Sequence, residues 1–282
     1  MRFALCNEVL GDMPFGEQCR FAASLGYDGL ELAPFTVGDA PHALPGEIVA
    51  ALRREAHDAG IAITGLHWLM VTPEGLSITT EDDAAWQATV EVGRGLILLC
   101  AELGGTVLVH GSPKQRQLPE DPTKVDAAKA RAHEYFGQMA RAAEAAGVVY
   151  CVEPLGPAET NYLNNVAETA ALVDEIASPG LRTMVDTKAA LQAEKMPVPD
   201  LLDAWLPTGA IAHVQVNDAD GSAPGQGTTA FGPILAALAR NGYDGTVAVE
   251  PFVYEPTGPA VAARAIGYLK GLAEGLPVEP GT

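Results

Sequence analysis

The chain has 282 residues, 48% of them hydrophobic and 19% charged, a size and balance that suit one α/β barrel with a buried core and exclude a disordered or fibrous chain. Lys and Arg total 17 against 36 Asp and Glu, a net charge of −19; such a surface repels phosphate backbones and anionic headgroups, so nucleic acid is not an expected partner. No stretch reaches the roughly 18 consecutive apolar residues of a membrane span, and Cys6, Cys19, Cys100 and Cys151 show no short paired spacing, so reduced core thiols and a cytoplasmic location are expected.

From the N-terminus, Arg2-Phe3-Ala4-Leu5-Cys6 opens as a strand-like run near 2–7, with no apolar signal region before it. A helical pattern follows near 15–25, then a strand near 28–32 and a helix near 45–59. The alternation continues with strand 61–67, helix 81–103, strand 105–110, helix 124–146, strand 148–153 and helix 165–177. Strand 181–186, helix 198–205, strand 211–217, helix 228–241, strand 245–250 and helix 258–273 complete it. Glycines punctuate the helix ends, as at Gly104 and Gly147, where a left-handed residue closes the helix just before a strand. The tetrapeptide Gly-Tyr-Asp-Gly occurs at 26–29 and again at 242–245, a weak internal similarity between the second and last strands. Val-, Leu- and Ile-rich strands without strict alternation suit a parallel sheet covered by helices. No Gly-x-Gly-x-x-Gly follows the first strand, so a closed (β/α)8 barrel over 1–275 is preferred to an open doubly wound sheet. A short, loosely held tail is expected at 276–282.

Lone polar residues close four successive apolar runs: Glu153 after Val149-Tyr150-Cys151-Val152, Asp186 after Thr183-Met184-Val185, His213 after Ile211-Ala212, and Glu250 after Val247-Ala248-Val249. Each lies about one β/α unit from the next, and a barrel gathers such strand ends at one mouth. A single strand-end carboxylate is as readily a helix cap or an ion-pair partner; four in succession point to a metal site. Two Glu, one Asp and one His without a thiolate suit one divalent cation, Mn²⁺ ahead of Mg²⁺ or Co²⁺. Pro154 and Pro251 stiffen the exits of the two glutamates. Glu153 and Glu250 thus form a matched pair flanking one metal, the arrangement that a two-base proton transfer needs, with the metal stabilising the enediolate.

Gly26-Tyr27-Asp28-Gly29-Leu30-Glu31, Val152-Glu153-Pro154, Val185-Asp186-Thr187, His213-Val214-Gln215-Val216-Asn217-Asp218, Pro224-Gly225-Gln226-Gly227 and the segment from Gly242 to Glu250 together resemble the xylose-isomerase-like TIM barrel superfamily. Within it the chain is similar to the sugar phosphate isomerase/epimerase branch that includes the ketose 3-epimerases, and the resemblance covers essentially the whole length. It implies that Glu153, Asp186, His213 and Glu250 are the metal ligands, that Glu153 and Glu250 are the acid/base pair, and that Glu159 helps bind the ketose. The chain also departs from the pattern. The epimerases carry His three residues past the metal Asp and Arg six residues past the metal His, where this chain has Ala189 and Ala219.

Further polar residues fall at strand ends. His67 and His110 end the third and fourth strands and are expected to face the mouth as substrate donors, general acids or supporting groups, with a structural hydrogen-bonding role as the alternative. Trp68 offers an apolar wall for a sugar face, and Lys188 a cation for a carboxylate, phosphate or enolate oxygen. Lys114 and Arg116 either bind an anionic substrate group or balance the acidic surface. Gln215 and Asn217 share the face of His213, and Gln215 is expected to bond substrate or support the site. Asn7, Glu8 and Glu31 are further strand-end groups that can orient hydroxyls, Glu31 alternatively pairing with an Arg.

The leading function is a divalent-metal-dependent isomerase or epimerase of a ketose, keto-sugar or related carbonyl compound, working through a metal-stabilised enediolate. The alternative is a lyase or dehydratase of an inosose-like or keto-glycoside substrate, with His110 or His67 as leaving-group acid. An endonuclease-type phosphodiesterase is opposed by the charge and by the single four-ligand set. The expected partner is a small carbohydrate, with no membrane, and a homo-oligomer is left open.

Overall fold

A computed structural model describes residues 1–276; the expected tail lies, from 277 on, outside the described residues. Strands β1 (Arg2–Cys6), β2 (Gly29–Leu32), β3 (Ala62–Leu66), β4 (Val107–His110), β5 (Val149–Val152), β6 (Leu181–Asp186), β7 (Ile211–Val216) and β8 (Thr246–Val249) form a closed barrel in sequence order. Every pairing is parallel, and β1 closes on β8 through Arg2 to Leu5 opposite Thr246 to Val249. The α-helices are α1 (Phe15–Leu25), α2 (Gly46–Asp58), α3 (Asp83–Leu103), α4 (Val125–Ala146), α5 (Val166–Ile176), α6 (Thr187–Ala193), α7 (Val198–Trp205), α8 (Phe231–Arg240) and α9 (Gly258–Glu274). Among the described residues no helix is long and apolar enough to cross a membrane.

Local chemistry sets the helix ends. Asp82 caps α3 by accepting from the Ala84 and Ala85 amides, and Gly104 closes it in the left-handed conformation. The short helix α6 was not expected. Its seven residues are too few to reveal a period, and it starts directly at Asp186, whose side chain accepts from the Ala189 amide. The strand-end acid and the helix cap are therefore one residue.

Alternation along each strand decides which residues reach the site. Val107, Val109, Cys151 and Met184 form an apolar cluster of their own on the axis side of the barrel. Leu108, Tyr150, Val152 and Val185, of the opposite parity, belong to the main core between sheet and helices. One more step along the axis-facing parity delivers Gly111, Glu153 and Asp186 to the C-terminal mouth.

Candidate active site

Glu153 and Glu250 immediately follow β5 and β8, and Asp186 ends β6. All three are buried, and one carboxylate oxygen of each lies within 4.8 Å of the others. Burial and then repulsion from Glu250 and Asp186 push the Glu153 carboxyl well above its usual range. Burial likewise raises Asp186 to about 6 and Glu250 to about 8, the latter against the opposing pull of His67. Three acids so placed repel one another when ionised, and a positive charge among them relieves that repulsion.

Each acid is anchored differently. Asp186 Oδ1 accepts from the Ala189 amide at 2.7 Å and Oδ2 from Asn217 Nδ2 at 2.8 Å. The same Asn217 nitrogen donates to the Glu250 carbonyl at 3.0 Å, and its Oδ1 accepts from the Lys188 amide at 2.8 Å. Glu250 Oε1 lies 3.0 Å from His67 Nδ1, whose Nε2 lies 3.0 Å from Glu8 Oε2. Burial opposes charge on this imidazole, but its contacts with Cys6, Glu8 and Glu250 outweigh that and hold its pKa well above normal. Glu153 is held through its backbone: its carbonyl accepts from Arg116 Nη1 at 2.7 Å. A β-carbon at position 111 would collide with Glu153 Oε2, so Gly111 is what lets the carboxylate lie there.

His213 does not join the three acids. Strand β7 runs on to Val216, and His213 sits opposite Met184, whereas Gln215 sits opposite Asp186. Below the mouth, His213 Nε2 is 2.7 Å from Glu31 Oε2; Glu31 therefore pairs with a histidine and not with an Arg. The expected four-residue set is corrected in this respect: His213 lies inside β7, two residues short of the level of Asp186. Gln215 Nε2 donates to Glu31 Oε1 at 2.8 Å, and Gln215 Oε1 is buried without a partner.

His110 also departs from expectation. Its parity turns it away from the axis toward the helix layer, where its ring packs on Tyr135, Phe136 and Tyr150. Nδ1 lies 2.7 Å from the Tyr150 hydroxyl, and burial followed by the nearby Arg116 lowers the pKa to about 3. It is a neutral core group and does not line the mouth. Arg116 is wholly buried beneath Glu153, while Lys114 is exposed.

The remaining residues lie around the mouth. A cavity of about 80 Å³ is lined by His67, Trp68, Glu153, Glu159, Glu250 and Phe252, among others. Trp68 is 41% exposed, adopts a φ of 52°, and meets Phe252 edge to face at 6.3 Å. Lys188 Nζ is 3.2 Å from Glu159 Oε1 and lies 5.0 Å above the Phe252 ring. Sequence reasoning gave no role to Phe252. It placed Asn217 on the right face without recognising its hold on Asp186, and the signal available was the shared parity of 213, 215 and 217.

The profile of the xylose isomerase-like TIM barrel family matches residues 19–272. The chain belongs to that family. A protein of Streptomyces coelicolor provisionally named hydroxypyruvate isomerase is 29% identical over 272 residues, covering 92% of this chain and 91% of that protein. The D-psicose 3-epimerase of Agrobacterium fabrum is 27% identical over 244 residues, covering 85% and 80%. The crystal structure of a 3-keto-D-glucoside 4-epimerase from E. coli aligns with a TM-score of 0.79 at 17% identity, over 97% of this chain and 99% of that one, a likeness of fold.

Proposed function

We propose that this protein is a divalent-metal-dependent isomerase or epimerase of a keto-sugar or related hydroxy-carbonyl compound, with Glu153 and Glu250 as its two acid/bases. The coarser part of the reading, an enzyme of the sugar isomerase and epimerase class, is supported by the family and by both named relatives. The observation that carries the finer part is the convergence of three buried carboxylates, with the unpartnered amide oxygen of Gln215 on the residue that pairs with Asp186 across β6 and β7. Those donors fit a hard cation: Glu153, Asp186, Glu250 and the Gln215 oxygen would hold it, an all-oxygen set suited to Mn²⁺ or Mg²⁺. When bound, the cation neutralises the acids and polarises a carbonyl, favouring the enediolate.

The chain's own residues supply the proton chemistry. Glu153 and Glu250 both line the cavity, arriving from β5 and β8. One carboxylate takes the proton from the carbon between carbonyl and hydroxyl, and the other delivers a proton to the enediolate. Return to the same carbon on its opposite face is epimerisation; delivery to the adjacent carbon is isomerisation. Trp68 and Phe252 line the cavity and meet edge to face, and the Glu159 to Lys188 pair offers an acceptor and a donor for hydroxyls. The substrate grip differs from that of the ketose 3-epimerase pattern, since neither Ala189 nor Gly221, six residues past Gln215, brings a polar side chain.

The other readings lose support. A lyase needs an acid for the leaving group, yet His110 is turned into the core and His67 is engaged by two carboxylates. A phosphodiesterase-type metal cluster would need further histidine ligands, and neither His110 nor His213 approaches the three acids among the described residues.

The test is a panel of 2-keto and 3-keto sugars and short hydroxy-keto acids with Mn²⁺ in D₂O. Turnover with deuterium appearing at the carbon alpha to the carbonyl is the expected result. Turnover that never exchanges that hydrogen with solvent would defeat the two-carboxylate mechanism.

A further inference from the structure

Beneath the three acids lies a second polar layer whose arrangement is one-directional. Gln215 shares its level with Asp186 across the β6 to β7 pairing, and its Nε2 donates to Glu31 Oε1 at 2.8 Å. Glu31 is fully buried, with its other oxygen 2.7 Å from His213 Nε2. A primary amide has a donor end and an acceptor end that swap by a half-turn. The NH₂ end meets Glu31 Oε1, which leaves the amide oxygen on the other side. That oxygen is buried and unpartnered, which is costly unless something positive meets it.

We infer that Glu31 is a positioning residue: through a single hydrogen bond it turns the Gln215 carbonyl oxygen toward the cation held by Glu153, Asp186 and Glu250, and so sets metal affinity from below the site. The inference rests on the reading of the three acids as a cation site. The Glu31 to His213 contact at 2.7 Å fixes the other oxygen of the same carboxylate and so holds it in place beneath Gln215. Partners behind a metal ligand commonly govern affinity 10- to 100-fold; here the partner is a carboxylate behind an amide.

The experiment is calorimetric titration of MnCl₂ into chelator-treated full-length protein, with visible spectra of the Co²⁺ form as an independent readout. Wild type should bind one ion. Q215L and E31Q should each weaken Mn²⁺ by about 10- to 100-fold and alter the Co²⁺ band in the same direction. Because Glu31 acts only through Gln215, adding E31Q to Q215L should cost less than about twofold further, a non-additivity that merely structural damage would not produce. Should E31Q alone not fold, E31Q with H213Q replaces the buried ion pair by two neutral amides and carries the same expectation. An unchanged affinity and spectrum in the Glu31 variant, or full additivity with Q215L, overturns the positioning role. Failure of wild type to bind Mn²⁺ or Co²⁺ overturns the cation site itself.

Discussion

The two glutamates at the mouth are near twins in sequence, each closing an apolar run and each followed by proline, yet the molecule holds them in opposite ways. On the β5 side, Glu153 is fixed through its backbone by Arg116, and its carboxylate lies over the bare Gly111. On the β8 side, the carboxylate of Glu250 is itself gripped by His67, which is backed in turn by Glu8. One acid is placed by the main chain; the carboxylate of the other is tied into a chain of His67 and Glu8. Two carboxylates proposed to exchange proton roles can therefore carry different proton affinities within one small cavity.

Removing either carboxylate should have the largest effect and would erase the contrast. E153Q and E250Q are each expected to lower kcat by about 10²- to 10⁴-fold on a turned-over substrate, measured at saturating Mn²⁺. If the two acids serve opposite faces, the two variants should also differ in which solvent-exchange step survives, read by deuterium incorporation in each direction. Near-normal activity in either variant would break the pair.

His67 offers a way to sharpen the contrast. H67L should lower Mn²⁺ affinity and kcat together by about 10-fold or more through Glu250, while H67Q, which keeps one donor, should recover part of the loss. G111A acts on the other acid alone, displacing Glu153 by direct collision without touching the His67 chain. Equal pH profiles of residual activity in the two variants would argue that the acids are interchangeable after all.

Much of this site could be read in the sequence, and the limits have physical causes. Glu153, Asp186 and Glu250 stood out because a β/α barrel sends strand-end residues to one mouth and because hydrophobic runs mark strand ends. The same cue picked His213 as the polar residue closing its run although the expected strand ran on to 217; within β7 the buried polar residues His213 and Gln215 both meet Glu31, and the level of Asp186 falls to Gln215. His110 failed for a question of parity: the strand end was found correctly, but the side chain one position earlier or later decides inside from outside. The different grips on Glu153 and Glu250 come from residues as distant in sequence as Arg116, His67 and Glu8, and no local pattern encodes such pairings.

Stability against pH tests the charge logic with metal removed. The Glu250 carboxyl has an ordinary pKa of 4.5 and is raised to about 8 in the fold, and Asp186 moves from 3.8 to about 6. Between those values the folded chain retains protons that the unfolded chain has lost, so stability falls as pH rises. The chelator-treated protein should therefore lose Tm steadily from about pH 5 to pH 8, and E250Q should flatten the decline. Saturating Mn²⁺ should reverse the trend, because a cation competes with protons for the same oxygens and stabilises the fold more as they are released.

The smallest expected effect concerns the rim, where the two sides of the mouth meet in the Trp68 to Phe252 contact. Trp68 is 41% exposed, so W68A should change stability by no more than about 0.5 to 1 kcal/mol. It leaves both acids and their anchors in place, so kcat at saturation should stay within a few-fold while KM rises. The φ of 52° at Trp68 adds a second handle, since a non-glycine residue held there stores strain that W68G would release. A W68G variant more stable than W68A, with the same raised KM, would mean that the backbone strain serves to present the indole to substrate. A kcat loss matching that of E250Q would instead tie the rim to the chemistry and collapse the distinction between the wall of the cavity and its acids.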